Sequence, residues 1–500
     1  MITNLKPYPR YKDSGVPWLG KVPEHWEVLP GRTLFREIND RGHPNEELLS
    51  VTISHGVVRQ ADLLSDSSKK DSSNEDKSAY KLVEPGDIAY NKMRAWQGAV
   101  GVSAYRGIVS PAYIVQRLRN PRNSPRYIHY LLRTPSFTTE AERWSYGITS
   151  DQWSLRAEDF KNIYFSVPGS DEQTAIVRFL DWADHRIRRV MRARRRRIKL
   201  LEEYKQALIN QAVTGKIDVR TCLRRGFGRQ AGKPYPKYKD SGVPWLGEVP
   251  EHWEVRRLRQ VALILVSNVD KHTKEGEIAV HLCNYLDVYK NERITTDIKF
   301  MRATASPDEI RRFRLRCGDV AITKDSEIWN DIGVPALVEY EAPDLVYGYH
   351  LAILRPYRNQ LVGLYLLRAL QSQGVAIQLH VAANGVTRFG LSHNAIKNAQ
   401  IPLPPLSEQT AIVEFLDEQT ERIDAAIAAD RREIELLEEF HTRLVSDVVT
   451  GKLDVREAAA KFPDELSEKE AETLDEKETV GDDEVGGEAD LEAVSEEVEI

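Results

Sequence analysis

The sequence predicts a mixed helix-and-strand protein (α/β, mixed α+β): two pseudo-twofold-related insert domains joined by two long antiparallel coiled-coil helices. Three observations predict it. The first is an internal repeat, the sequence signature that decides an architecture before any other. Residues 8–28 and 235–255 differ at only two positions, Arg10/Lys237 and Lys21/Glu248. EQTAIV occurs at 172–177 and again at 408–413, and TGKIDVR at 214–220 matches TGKLDVR at 450–456. The second is an apolar 3–4 spacing, free of proline, that follows each EQTAIV. The third is that the intervening stretches, 29–164 and 256–400, share only traces such as Gly86-Asp87-Ile88 against Gly318-Asp319-Val320. Each half is therefore a fixed frame around a variable insert, which suggests one mounting and two specificities. An old duplication whose middles drifted is the plainer alternative.

In chain order, residues 1–165 form the first insert domain. Apolar or alternating runs at 107–118, 278–288 and 344–354 predict strands, and 127–132 and 361–373 predict short helices. Residues 166–220 form the first spacer helix. Pro168 precedes it, Asp171 is its expected N-cap, and Gly215 stands where a C-terminal glycine belongs. Leu180, Ile187, Met191, Ile198, Leu201 and Leu208 make its seam. A 39-residue helix would be roughly 58 Å long at 1.5 Å per residue. Residues 221–234 are a linker and 235–400 the second insert domain. Residues 401–456 form the second spacer helix, with Ser407 as expected N-cap, Gly451 at its end, and a seam of Leu416, Ile423, Ile427, Ile434, Leu437 and Leu444. Residues 457–500 form an acidic tail expected to be disordered.

Charge divides along the same lines. The chain has 500 residues, 70 Lys+Arg, 76 Asp+Glu and a net charge of −6. The tail alone holds 18 acidic and three basic residues, so residues 1–456 carry a net +9. Nine basic residues lie between Arg186 and Lys199, and nine acidic ones between Asp417 and Glu439. Opposite charges beside a seam favour mutual pairing of the two helices; a solvated basic face is the alternative. Apolar residues off the seam (Ile176, Phe179, Trp182, Val190, Ile412, Phe415, Ala426) leave an expected surface for a partner protein.

Enzyme signatures are missing from the sequence. Gly215-Lys216 and Gly451-Lys452 run on to Ile217 and Leu453, so neither is a Walker A cradle. The histidines form no HExxH, the three cysteines are scattered, and no nucleophile, base and oxyanion set assembles. No catalytic residue, metal ligand or cofactor is expected in the chain. No apolar run approaches the roughly 20 residues of a membrane helix, and a cytoplasmic location is expected. The inserts instead offer polar, glycine-containing loops with the side chains that read base edges and hold phosphates. From these the candidate DNA-binding residues are Arg94, Gln97, Thr149 and Gln152 in the first insert, and Lys324, Asn330, Thr387 and Arg388 in the second. Each loop alone could equally be ordinary surface.

The repeated DSGVPWLG..PEHWEV (13–28, 240–255), and Pro402-Leu403-Pro404-Pro405-Leu406-Ser407-Glu408-Gln409 before a long helix and TGKLD, resemble the specificity subunits of type I restriction enzymes. The first copy departs with Val167-Pro168-Gly169-Ser170-Asp171 in place of the double proline. The resemblance spans 8–456. It implies two target-recognition domains, each reading half of a gapped, double-stranded DNA target. It implies that the spacer helices, with Leu180, Ile187, Met191, Ile198, Leu201, Leu416, Ile423, Ile427, Ile434 and Leu437, dock two methyltransferase subunits, and that restriction subunits join them. S-adenosylmethionine, ATP and Mg would belong to the assembled complex. A protein–protein scaffold without DNA and a stand-alone DNA-binding regulator are the rival readings.

Overall fold

The computed structural model describes residues 5–64, 76–148, 153–223 and 233–462. The chain is mixed helix and strand and divides into two compact units. One is Met1–Ala193 with Glu433–Ile500; the other is Arg194–Arg432. The division falls inside both long helices, Ser170–Val213 and Leu406–Val449, each of 44 residues. Both helices start before the expected caps, so Asp171 and Ser407 stand in the first turn. Gly215 and Gly451 follow the helix ends with φ of +70° and +76°, the left-handed conformation a side chain disfavours.

The first unit is built on a four-stranded antiparallel sheet in the order Phe35–Ile38, Tyr113–Leu118, Ile88–Asn91, Val100–Val102. The expected strand at 107–118 is two, Gly107–Val109 and Tyr113–Leu118, because a turn closed by Tyr113 N–H donating to Ser110 O interrupts it. The second unit repeats the order with Ala262–Val266, Leu351–Pro356, Val320–Thr323 and Pro335–Val338, then adds Arg293–Ile294 in parallel. Of the expected strand at 278–288 only Ile278–Cys283 is extended. Asn284 caps a short helix, Tyr285–Tyr289, whose Asp287 carboxylate accepts from the Asn284 backbone. The two inserts thus share a strand order that their sequences do not show.

A buried carboxylate marks that shared core. Asp87 takes a bidentate pair from Arg117 (2.6 and 2.7 Å), and Asp319 takes one from Arg355 (2.8 and 2.7 Å). The Gly-Asp-Ile/Val trace is therefore one ion pair made twice, with each carboxylate about 1% exposed.

The frame segments converge within each unit. In the second, Glu408 lies at the start of the long helix and is 6% exposed. Its carboxylate accepts from Tyr235 OH (3.0 Å), Trp253 Nε1 (3.0 Å) and Arg220 (3.1 Å), and lies 2.9 Å from His252 Nε2. In the first, Glu172 accepts from Tyr8 OH (2.7 Å) and Trp26 Nε1 (3.1 Å), lies 2.8 Å from His25 Nε2, and has Arg456 at 3.9 Å. Burial and the adjacent carboxylate push both tyrosine phenols up, so they stay protonated and donate. All three repeated motifs thus meet at one carboxylate, but the TGK-DVR segment is exchanged. Arg456 of the second copy serves Glu172, and Arg220 of the first serves Glu408. The next residue is duplicated too. Gln173 accepts from Ser124 N, and Gln409 from Val362 N, fixing the start of an insert helix (Pro125–Leu132, Gly363–Gln371).

Candidate nucleic-acid interface

In the second unit, two loops distant in sequence are joined by a two-residue ladder, Asp325–Ser326 against Phe389–Gly390. Leu391 N–H donates to Lys324 O (2.8 Å), and Asn384 and Gly390 exchange backbone bonds that close a hairpin. Lys324, Thr387 and Arg388 are thereby brought to one place. Lys324 is half-buried; Asn330, Thr387 and Arg388 are exposed. Arg388 lies 3.3 Å from His350 Nδ1, which is itself 2.8 Å from Asp325. One nitrogen cannot donate to Asp325 and accept from Arg388 at once, so the shorter Asp325 contact is the hydrogen bond, and the exposed Arg388 guanidinium lies beside that pair. Nothing in the sequence pattern linked His350 or Asp325 to Arg388; they lie 25 to 63 residues apart.

The first unit has the same arrangement. Leu155 N–H donates to Lys92 O (2.8 Å), and Tyr146 pairs with Ser154 in an isolated antiparallel bridge. Trp96 packs edge-on to Trp153 at 5.4 Å, and Arg94 donates to Gln97 Oε1 (3.4 Å). Arg94 and Gln97 are thus together, on the turn that Gly98 closes at φ +101°. Thr149 and Gln152 lie outside the described residues. The four candidate loops therefore form two equivalent pairs, one in each unit.

The seam positions face inward. Leu180 and Leu416 are buried, Ile187, Ile423, Ile427 and Ile434 are less than a tenth exposed, and Met191, Ile198, Leu201 and Leu437 are half-buried. In the second unit Arg197 pairs with Asp430 (3.1 Å), Glu202 with Arg431 (3.1 Å) and Lys205 with Asp424 (2.8 Å), so the helix segments run antiparallel. In the first unit His441 lies 3.0 Å from Asp184. The expected partner surface needs correction. Ile176 and Phe179 lie in the core of the first unit and Ile412 and Phe415 in that of the second, while Trp182 stacks on Phe462 at 4.0 Å. The helices are apolar beyond the seam because each also closes its own domain. Val190, Leu200, Tyr204, Leu436 and Phe440 remain exposed.

Residues 250–436 match the family model described as "Type I restriction modification DNA specificity domain". Over that stretch the chain is similar to the specificity subunits of type I restriction enzymes. It is 26% identical over 207 residues to the putative MjaX specificity subunit of Methanocaldococcus jannaschii, a match covering 41% of this chain. The chain spans about half (47%) of that relative's length. It is 22% identical over 385 residues to the MjaVIII specificity subunit of the same organism, covering 75% of this chain and 81% of the relative. A solved structure described as "structural basis underlying complex assembly and conformational transition of the type I R-M system" has the same fold, with a TM-score of 0.63 at 18% identity. That likeness covers 86% of this chain and 99% of that one.

Proposed function

We propose that this chain is a specificity subunit that reads a bipartite, gapped DNA target, one half-site per unit, and docks the modification and restriction subunits of a type I restriction-modification system. The paired loops carry the reading: closely similar frames flank, in each unit, loops whose sequences differ. Arg94 and Gln97 in one unit, and Lys324, Asn330, Thr387 and Arg388 in the other, contact base edges and phosphates; Thr149 and Gln152 complete the first set. Arg and Gln can make two hydrogen bonds to guanine or adenine edges, while lysine and threonine hold phosphates. The chain is a recognition subunit without chemistry of its own, working in the cytoplasm. S-adenosylmethionine sits in the two methyltransferase subunits, and ATP and Mg in the restriction subunits. The target base is flipped into the methyltransferase pocket. The two long helices supply the docking surface, through side chains left exposed beside the seam residues Leu180 to Leu437. Among the described residues no helix is long and apolar enough to cross a membrane.

Methylome sequencing tests this reading. A bipartite methylated motif should disappear when the gene is deleted and return with the intact gene. Methylation that survives deletion refutes it.

A further inference from the structure

Each unit has one exposed apolar side chain that readout by polar side chains leaves unexplained. Val386, at the tip of the hairpin closed by Asn384 and Gly390, is 94% exposed, and Ile148, two residues after the bridged Tyr146, is 95% exposed. The next most exposed large apolar side chain among the described residues is Leu200, at 64%. β-Branched residues are poor turn formers, and full exposure leaves their apolar area in water. A glycine precedes each in the sequence (Gly147, Gly385) and a threonine follows (Thr149, Thr387). At Gly385 (φ +156°) an added Cβ would lie 1.9 Å from the Arg388 carbonyl oxygen, so the turn is too tight for any other residue. The same disfavoured choice, made twice at equivalent positions of otherwise dissimilar inserts, points to a contact that both units make.

We propose that Val386 and Ile148 are specificity-determining residues, each packing against the C5 methyl of a thymine in the major groove of its half-site. This rests on the DNA-reading function above. A two-stranded ribbon fits the major groove, and the thymine methyl is the apolar feature that a base edge presents there. The exposed Thr387 and Arg388 beside Val386 supply the polar contacts that hold such a ribbon in register. An aliphatic tip flanked by a cation suits that groove better than a protein surface, where fully buried cores are depleted of charge.

The test selects random duplexes with the full-length chain assembled with its modification subunits. Val386→Ala should relax one T·A position in one half-site only, and Ile148→Ala one position in the other. Replacing that thymine by uracil should weaken wild-type binding about 3- to 10-fold and leave Val386→Ala unaffected, because side chain and methyl form one contact. Unchanged profiles, a loss equal on all duplexes, a half-site without T·A, or additive effects of uracil and Val386→Ala overturn the proposal. A wild-type complex that selects no bipartite sequence is a separate outcome: it refutes the DNA-reading function itself, and this inference with it.

Discussion

Replacing Glu408 by alanine removes the carboxylate on which the repeated motifs of the second unit converge. Trp253 is fully buried and Tyr235 is 3% exposed, so neither donor can reach water when the acceptor is lost. An unmade buried hydrogen bond costs about 1–3 kcal/mol, so the two together cost about 2–6 kcal/mol. His252 and Arg220 have side chains nearly half exposed and turn to solvent at little cost. The loss is a large share of the roughly 5–15 kcal/mol that holds a domain folded. A chain of two units need not unfold in one step, so hydrogen exchange read by mass spectrometry is the suitable assay. Exchange should speed at least about 30-fold in 214–220, 235–255 and 406–416, the equivalent of about 2 kcal/mol. It should stay unchanged in 8–28 and 450–456. Glu172→Ala should give the reverse pattern. If Glu408→Ala left 214–220 unchanged, or speeded 450–456 as much, the exchanged pairing of motifs would be wrong.

Gly451→Ala should destabilise by about 3 kcal/mol or more, because strain at φ +76° adds to a Cβ placed 2.4 Å from Pro23 Cδ. Gly20→Ala, at φ +58° with open space around it, should cost only about 1–2 kcal/mol, and thermal midpoints measured side by side decide. Asp184 is half-buried. Burial works to raise its pKa, but His441 and Arg188 outweigh burial and hold the carboxyl at about 2. A depressed folded pKa stabilises above the unfolded value of 3.8, and that contribution of about 2 kcal/mol is lost as pH falls from about 4 to about 2. Asp184→Asn should therefore be less stable at pH 7 but flatter in denaturant titrations across that acid window. Arg388→Ala should weaken binding to the selected duplex by about 1–3 kcal/mol and relax one position, with the thermal midpoint unchanged; an equal loss on every sequence would make Arg388 a phosphate contact only.

The seam was legible because a helix writes its buried face into contiguous sequence at a 3–4 spacing, and Leu180 through Leu437 are buried or half-buried as that spacing requires. The Gly-Asp-Ile/Val trace showed that Asp87 and Asp319 correspond, but not that each holds an arginine 30 or 36 residues on, since no period links strands that pair across a sheet. The polar loops were found singly; their pairing was hidden because it depends on the ladder between 325–326 and 389–390. The frame motifs were the plainest feature of the sequence, yet their order along the chain misleads about their partners. TGKIDVR follows EQTAIV within one copy, which suggests that Glu172 meets Arg220. A continuous helix advancing 1.5 Å per residue carries Gly215 away from Glu172 and cannot bring it back. Only a helix running the other way can deliver such a segment to Glu172, and Arg456, just beyond the second helix, arrives there. Identity of the two copies is then a requirement and not a relic. Each TGK-DVR segment must fit a pocket built by the other copy's motifs, so a change in one copy would have to suit residues encoded in the other.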